Sequence, residues 1–508
     1  MSAKSKQNVA SSVGIVFVLS LGTSLLSFVC EMFFAMYFGV SAETDAFAIA
    51  SQIPAILFAV VPAAISTTVV PLYSKMFHND DLEGSQKFIS RFTTMIAVFT
   101  VACVVICEII APVIVKLFSP GIDDKTFAYA VKFIRITFPT IIFTSIMGIF
   151  MGVLQVHKKF GRSSFLEIIR QCVYAILIIV LHGYFGIYAA VFGLLIASII
   201  EFLFSYCFVA SKVKLKPDFN VKDQNVINAI KMSVPIFAGI GTAEINRLVN
   251  KIAASFLDSG SISTLNYASR LSGAFTSLVV ASISTVMFPY FAEKASKNDR
   301  EGLSKMFFLT LNAYLILTIP IIAGGVILRQ ELVEAAFLRG AFTKENAYVV
   351  AGLFAGYLLS MIFSALKQTG AKLFYAQGNT KTPMVNTIIG VCLNIVLNII
   401  LGYFMGAMGL VYATVISTAI ISVLLLISAR KYIDIGMWKG FSVVALKTLG
   451  ASAAMAGVLM LLMPIVSDFN GIVSVVLLVG AGAIAYGVLL LLLAKKEIKE
   501  IVSIIKNK

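Results

Sequence analysis

Charge is what this sequence has least of. Only 13% of its 508 residues are Asp, Glu, Lys or Arg, against 59% hydrophobic, whereas a soluble domain carries about 25% charged residues. A soluble fold of this size is excluded. There is a single tryptophan, and the three histidines, His78, His157 and His182, are dispersed. No Walker-type lysine loop, HExxH or CxxC occurs, which removes the common NTPase, zinc hydrolase and dithiol chemistries. The chain is therefore not expected to be an enzyme, and an ATP-driven pump would need a partner subunit. All six cysteines fall in apolar runs, where a thiol acts as a small hydrophobe, so no disulfide is expected. The first apolar run is long and lacks a small-residue cleavage site, so it reads as a span and not as a removable leader.

What the chain has in abundance is long hydrophobic runs. A helix crosses the hydrocarbon with about 20 apolar residues, and about fourteen runs of that length appear, near residues 13–40, 46–72, 90–118, 127–153, 164–183, 186–210, 228–256, 263–292, 303–327, 347–376, 382–404, 407–429, 442–465 and 470–494. They are continuous, not alternating, which excludes a β-barrel. The fold class is an all-α polytopic membrane protein. The net charge of +15 is mostly a topology signal, because most Lys and Arg lie in the two tails and the even-numbered loops. By the positive-inside rule that side is cytoplasmic, with both termini inside. The basic excess also attracts anionic lipid headgroups, and no nucleic acid partner is expected.

The sequence repeats itself. AISTTVVPLYSKMFHNDDLEGSQKF (64–88) matches SISTVMFPYFAEKASKNDREGLSKM (282–306) at an offset of 218, and Gly183-Tyr184-Phe185 matches Gly402-Tyr403-Phe404 at 219. The offset spans six helices, an even number, so the copies have the same orientation. Such parallel repeats place a substrate site between two lobes near midplane and move by rocking one lobe against the other. The expected division is an N-lobe at 1–210, a cytoplasmic linker at 211–231, a C-lobe at 232–430, and two appended spans with the C-terminal tail at 431–508. Proline recurs in or beside spans (Pro54, Pro62, Pro112, Pro139, Pro235, Pro320), tolerated where neighbours or cavity water satisfy the freed carbonyls.

The few charges at membrane depth are the candidate site, since each costs roughly 2.5–3.5 kcal/mol on insertion scales and so marks a bundle interior or pathway. Glu244, Arg247 and Lys251 share one face of span seven by their spacing of three and four. They form either a self-neutralising triad or, with Arg270 of span eight, a cavity wall whose surplus positive charge suits an anionic group such as phosphate. At the repeat offset Gln52 is the partner of Arg270. Glu31 in span one is either a partner for these cations or a proton-titrating switch. Glu108, Glu167, Arg170 and Glu201 are expected nearer span ends or in local pairs, and Lys367 is a lesser cavity candidate. Asn394 and Asn398, one turn apart in span eleven with Thr414 on the next span, are either interhelical glue or contacts to an ion or substrate. Trp438 is expected in an interfacial segment.

Four strings, FGVSAETDAF (38–47), IRITFP (134–139), ASFLDSGSISTLNYASRL (254–271) and FYAQGNTKTP (374–383), make the chain resemble the MurJ or MviN family of lipid II flippases, within the multidrug, oligosaccharidyl-lipid and polysaccharide exporter superfamily. The resemblance covers nearly the whole length. It implies a fourteen-helix, two-lobed flippase that moves undecaprenyl-pyrophosphate-linked peptidoglycan precursor to the outer leaflet of a bacterial plasma membrane, with a cationic cavity to which Arg270 contributes. Its partners would be the lipid-linked glycan, membrane lipids and cell-wall synthesis proteins. No cofactor is implied, and coupling would be to membrane potential or a monovalent cation. The chain departs from the family where further arginines are usual, holding Ser24, Cys30 and Phe58 there, and Ser269 where an aspartate commonly precedes Arg270. A sodium site known in some members maps onto Asn250, Asn394, Asn398 and Thr414, which include no carboxylate and would hold a hard cation weakly. Other readings are a flippase for a different polyprenyl-pyrophosphate oligosaccharide, a cation-coupled drug exporter, which would want an acidic or aromatic cavity, and a scaffold that binds the lipid without moving it.

Overall fold

A computed structural model describes residues 3–59, 61–62, 65–79, 81–220, 244, 246–466, 469, 471–495, 497 and 499, and among them there are helices and no β-strand. The helices are α1 (Ala3–Phe38), α2 (Ala42–Phe58), α3 (Val70–His78), α4 (Leu82–Ile109), α5 (Ala111–Phe118), α6 (Asp124–Thr137), α7 (Thr140–Val156), α8 (Phe160–Phe185) and α9 (Tyr188–Ala210). They continue with α10 (246–255), then α11 (Ser261–Ser296), α12 (Arg300–Ile327), α13 (Arg329–Phe337), α14 (Lys344–Ala376), α15 (Lys381–Ala429), α16 (Trp438–Val466) and α17 (Gly471–Leu493). Each expected span falls on one or two of these. The seventh is described only at 244 and 246–256, and the linker residues 221–231 and Pro235 lie outside the described residues. By length and apolarity alone, nine helical stretches among the described residues are able to cross a membrane, and the all-α polytopic fold is what the sequence led us to expect.

Proline explains where spans break. It cannot donate to the turn before it and its ring crowds the carbonyl four residues back. Span two stops as α2 at Phe58, passes through a π-helical turn at Ile65–Val69 and resumes as α3 with Pro71 in its first turn. Span three ends at Ile109 and restarts as the short α5 with Pro112 in its first turn. Pro139 separates α6 from α7.

The repeat is visible in backbone detail. Asp81 caps α4 by accepting from Gly84 N–H at 2.8 Å, and Asp299 caps α12 by accepting from Gly302 N–H at 2.8 Å. Both pairs sit at the offset of 218. Asp123 caps α6 through Thr126 N–H and Thr343 caps α14 through Asn346 N–H. Gly186, between α8 and α9, has φ +54° and ψ −138°, and Gly406, at the break inside α15, has φ +56° and ψ −134°, a region that glycine occupies without strain.

The segment that leaves the sixth helix of each repeat docks on the third. Residues 211–220 run along α4, with Lys216 N–H on Ser90 Oγ, Asp218 N–H on Thr94 Oγ1, and Arg91 Nε 2.7 Å from Asp218 Oδ2. In the second copy Asp434 N–H bonds Ser304 Oγ at 2.8 Å. Trp438 follows directly and packs edge-on against Phe308, with centroids 5.3 Å apart, so its indole closes a hydrophobic core with Phe307, Phe374 and Leu425. The equivalent core of the first copy gathers Tyr73, Phe88, Phe92, Phe150 and Leu166.

Two compact units result, Met1–Ser263 and Thr264–Lys508. Thus α10, the seventh span, associates with the first six.

Candidate substrate-binding site

The polar chemistry of the first unit is concentrated where α2 begins. Ser41 and Thr44 form a reciprocal capping box there, each side chain accepting from the other's N–H, the arrangement that satisfies two orphan donors at once. Asp45, the next residue, is thereby released to cap something else. Its carboxylate, 2% exposed, accepts Gly260 N–H at 2.6 Å and Ser263 N–H at 2.7 Å, as well as the Ser263 hydroxyl. That hydroxyl lies 2.9 Å from Thr44 Oγ1. Asp45 therefore supplies, from more than 200 residues away, the acceptor that the first N–H groups of α11 lack, with the favourable sign for a helix N-terminus.

The rest of that turn is tied down as well. Gly260 has φ +91°, and a Cβ there would meet Val40 at 2.7 Å, so glycine is required on both counts. Gly121, between α5 and α6, donates to Ser255 Oγ, and a Cβ on it would come within 2.6 to 2.8 Å of Ser255 and Phe256. The connections after spans one, three and seven are thus locked together at one end of the unit.

Lys251 belongs to this lock. It is 6% exposed, and its ammonium donates to the carbonyl of Ala48 on α2, where its charge also acts on Asp45. The surface-facing cation of α10 is instead Arg247, whose side chain is 71% exposed and which pairs with Glu244 at 3.2 Å. Spacing places Glu244, Arg247 and Lys251 on one face; the structure closes the first two as an ion pair and sends the third to a neighbouring helix. Arg270 is exposed on α11, while Glu31 and Gln52 are half-buried on α1 and α2. Lys367 is half-buried in α14, where desolvation is what acts on its charge.

The asparagines of span eleven bond to each other. Asn394 Nδ2 donates to Ser417 Oγ at 3.2 Å and Asn398 Nδ2 to Asn394 Oδ1 at 3.1 Å, with both residues no more than 2% exposed. Thr414 Oγ1 donates to its own helix at Leu410, and Asn250 is half-buried on α10. This is interhelical hydrogen bonding of the kind that joins membrane helices. A donor set of amides and hydroxyls already engaged with one another does not suit a hard cation, which wants several free oxygens and a carboxylate. No cluster of three or more His, Cys, Asp or Glu able to hold a metal occurs among the described residues.

Spans thirteen and fourteen, which the sequence left without a role, line a cavity in the second unit. Its volume is about 280 Å³, and Phe275, Pro320, Leu358, Met455, Leu459 and Tyr486 are among the residues that form its nearly wholly apolar wall. Tyr486 spends its hydroxyl on the carbonyl of Ile316 at 2.6 Å, leaving its ring to face the cavity. Such a wall accepts hydrocarbon and offers nothing to a polar ligand.

A family model described as lipid II flippase MurJ matches residues 34–480. The chain belongs to the lipid II flippase MurJ family. Among relatives, the probable lipid II flippase MurJ of Rickettsia prowazekii is 25% identical over 376 residues, covering 73% of this chain and 74% of that one. The probable lipid II flippase MurJ of Haemophilus influenzae is 24% identical over 504 residues, covering 94% and 99%. A solved lipid II flippase MurJ in an inward closed conformation superposes with a TM-score of 0.82 at 28% identity, covering 95% of this chain and 99% of that one. An inward-facing MATE family multidrug resistance transporter of the MOP superfamily shares the fold, with a TM-score of 0.65 at 10% identity over 80% and 94% of the two chains.

The capping role of Asp45 is the feature that sequence reasoning missed. Asp45 stands inside FGVSAETDAF and Ser263 inside ASFLDSGSISTLNYASRL, one full repeat apart at 218; that coincidence was the available signal.

Proposed function

We propose that this protein is a lipid II flippase, moving undecaprenyl-pyrophosphate-linked peptidoglycan precursor from the inner to the outer leaflet of a bacterial plasma membrane by alternating access, with both termini cytoplasmic. The observation that carries this reading is the family match along residues 34–480. The physical problem is to bring a pyrophosphate and its glycan through hydrocarbon, where an ionised group costs several kcal/mol. Arg270, exposed on α11, offers the planar fork that pairs with phosphate oxygens, and Arg247 adds a second exposed guanidinium. The apolar cavity of the second unit suits the prenyl chain.

With both termini inside, the connections after spans one, three and seven face outward, and the Asp45 lock is the external closure. Hydrogen bonds to a charged group contribute about 1.5–3 kcal/mol each, so opening outward must break an interaction of several kcal/mol. A substrate achieves that only by binding the open state better than the closed one. Lys251, bonded to Ala48 in the closed arrangement, becomes available to the pyrophosphate when the lock parts. The driving force is the membrane potential or a monovalent cation, and proteins that consume the flipped precursor are the expected neighbours.

The test is lipid II translocation, in proteoliposomes and in cells depleted of their own flippase. Wild type moves the lipid and Arg270→Ala reduces the rate by about tenfold or more, as loss of one charge-assisted pair of about 1.5–3 kcal/mol requires. An inert wild type or a fully active Arg270→Ala overturns the reading. Rescue of a polysaccharide-export mutant alone would favour another polyprenyl-pyrophosphate glycan, a reading supported by Ser24, Cys30 and Phe58 at positions where the family resemblance leads one to expect arginine.

A further inference from the structure

Glu201, in the middle of α9, is paired locally with Arg170 of α8, one of the two placements its sequence context suggests, and it is completely buried, with 0% of its surface exposed. Neither of its carboxylate oxygens has a hydrogen-bond partner among the described residues. The hydroxyls that flank it along the helix, Ser198 and Ser205, donate to the carbonyls of Leu194 and Phe202. Its nearest cation is Arg170 of α8, with Nε 3.4 Å from Oε2 and a side chain that is itself 35% exposed.

Arg170 and Glu167, both on α8, are the charged groups that act on Glu201. Of the other helices packed on α9, α7 carries no charged residue. Helix α6 meets the start of α9, where Phe133 packs edge-on against Tyr188, so its Lys132 and Arg135 lie roughly 20 Å along the axis from Glu201 at 1.5 Å per residue. Arg170 has other carboxylates to serve. Glu167 precedes it by one turn, and Cys30 of α1 donates to the carbonyl of Gln171, which brings the adjoining Glu31 to the same α1–α8 contact. The charges of Glu31 and Arg170 both act on that cysteine. One guanidinium therefore stands near three carboxylates, and the one it contacts, at 3.4 Å, is completely buried and makes no hydrogen bond.

A buried carboxylate without hydrogen bonds is tolerated when a cation closes on it or when it takes a proton. We propose that Glu201 is a proton-binding site of the first unit, exchanging H⁺ with solvent as Arg170 moves between it and the carboxylates of Glu167 and Glu31. Protonation turns the carboxylate of Glu201 into a neutral acid and frees the guanidinium; return of Arg170 to Glu201 expels the proton along the partly exposed face of α8. The coupling cation of the transport cycle is then H⁺, a step that rests on the flippase reading, whereas proton binding itself does not.

The experiment is infrared difference spectroscopy of the whole protein in lipid between acid and alkaline buffer, with translocation measured over the same pH range. Wild type shows a protonated-carboxyl band that titrates, Glu201→Gln abolishes that band and flattens the pH profile of transport, and Arg170→Gln displaces the midpoint by about one pH unit or more, a tenfold change in proton affinity. An identical band in wild type and Glu201→Gln, or none in wild type, overturns proton binding. A band that Na⁺ or K⁺ suppresses at fixed pH assigns the site to a metal cation and also overturns it. An unaltered transport profile in Glu201→Gln, with the band lost, overturns the coupling alone. Arg170→Gln keeps the proposal testable if Glu201→Gln does not fold, and the infrared arm needs no lipid II, so its failure is distinct from failure of the flippase reading.

Discussion

Helices α8 and α9 of the first unit and the two arms of α15 in the second are the same pair of spans in the repeat, and opposite chemistry holds them together. Both pairs turn at a glycine of nearly identical backbone geometry, Gly186 and Gly406. Between α8 and α9 lies an ion pair, Arg170 with Glu201, that leaves the carboxylate without hydrogen bonds. Between the arms of α15 lies a neutral chain, Asn398 to Asn394 to Ser417. A neutral amide network has one stable arrangement and stiffens its spans. A single guanidinium near several carboxylates has more than one, so the duplicated fold carries a neutral contact in one copy and, on the proposal above, a titratable one in the other.

The comparison breaks most visibly at Arg170. Arg170 is partly exposed and Glu201 escapes stranding by taking a proton, so Arg170→Ala costs less than the about 3–5 kcal/mol of a fully buried pair; it lowers the thermal unfolding midpoint more in alkaline than in acid buffer, and adding Glu201→Gln restores most of the loss. A double mutant no more stable than Arg170→Ala would mean that the pair does not strand a charge. Next in size are the glycines. A methyl group at either would meet no atom within 4 Å, so alanine brings backbone strain alone, about 1–3 kcal/mol. Gly186→Ala and Gly406→Ala should lower stability by similar amounts in the same melting assay, and a clear inequality would show that the two turns are not equivalent. Asn398→Ala is smaller still, about 0.6–1.7 kcal/mol for a hydrogen bond between membrane helices, with no change in the pH dependence of transport.

The smallest effect concerns the linker. The N–H of Asn220 and the side chain of Arg91 hold the Asp218 carboxyl below the usual aspartate range. A depressed carboxylate stabilises above its unfolded value and loses that contribution as pH falls through its folded one, so the 211–220 segment loosens from α4 only below about pH 4, the ordinary aspartate range. Hydrogen exchange at Lys216 and Asp218 should accelerate there, and Asp218→Asn should remove the dependence.

Much of this is legible in the chain itself. Apolar runs mark the spans and proline their breaks, because both act within a few residues of chain. The mutual pairing of Asn394 and Asn398 follows from a spacing of four. The destination of Lys251 does not, since periodicity assigns a helical face and says nothing of which carbonyl waits opposite it. The burial of Glu201 is hidden for the same reason: its depth depends on α7 and α8 closing over it, not on its position in the run.

By itself the sequence determined the number and order of spans, their duplication and the scarcity of charge within them, since hydrocarbon imposes those requirements on each helix separately. Only the tertiary structure decided that Asp45 caps a helix beginning more than 200 residues later, that Lys251 serves α2, and that spans thirteen and fourteen wall an apolar cavity. Those outcomes depend on which distant backbone groups are left without partners once the helices have packed, and no local pattern encodes that.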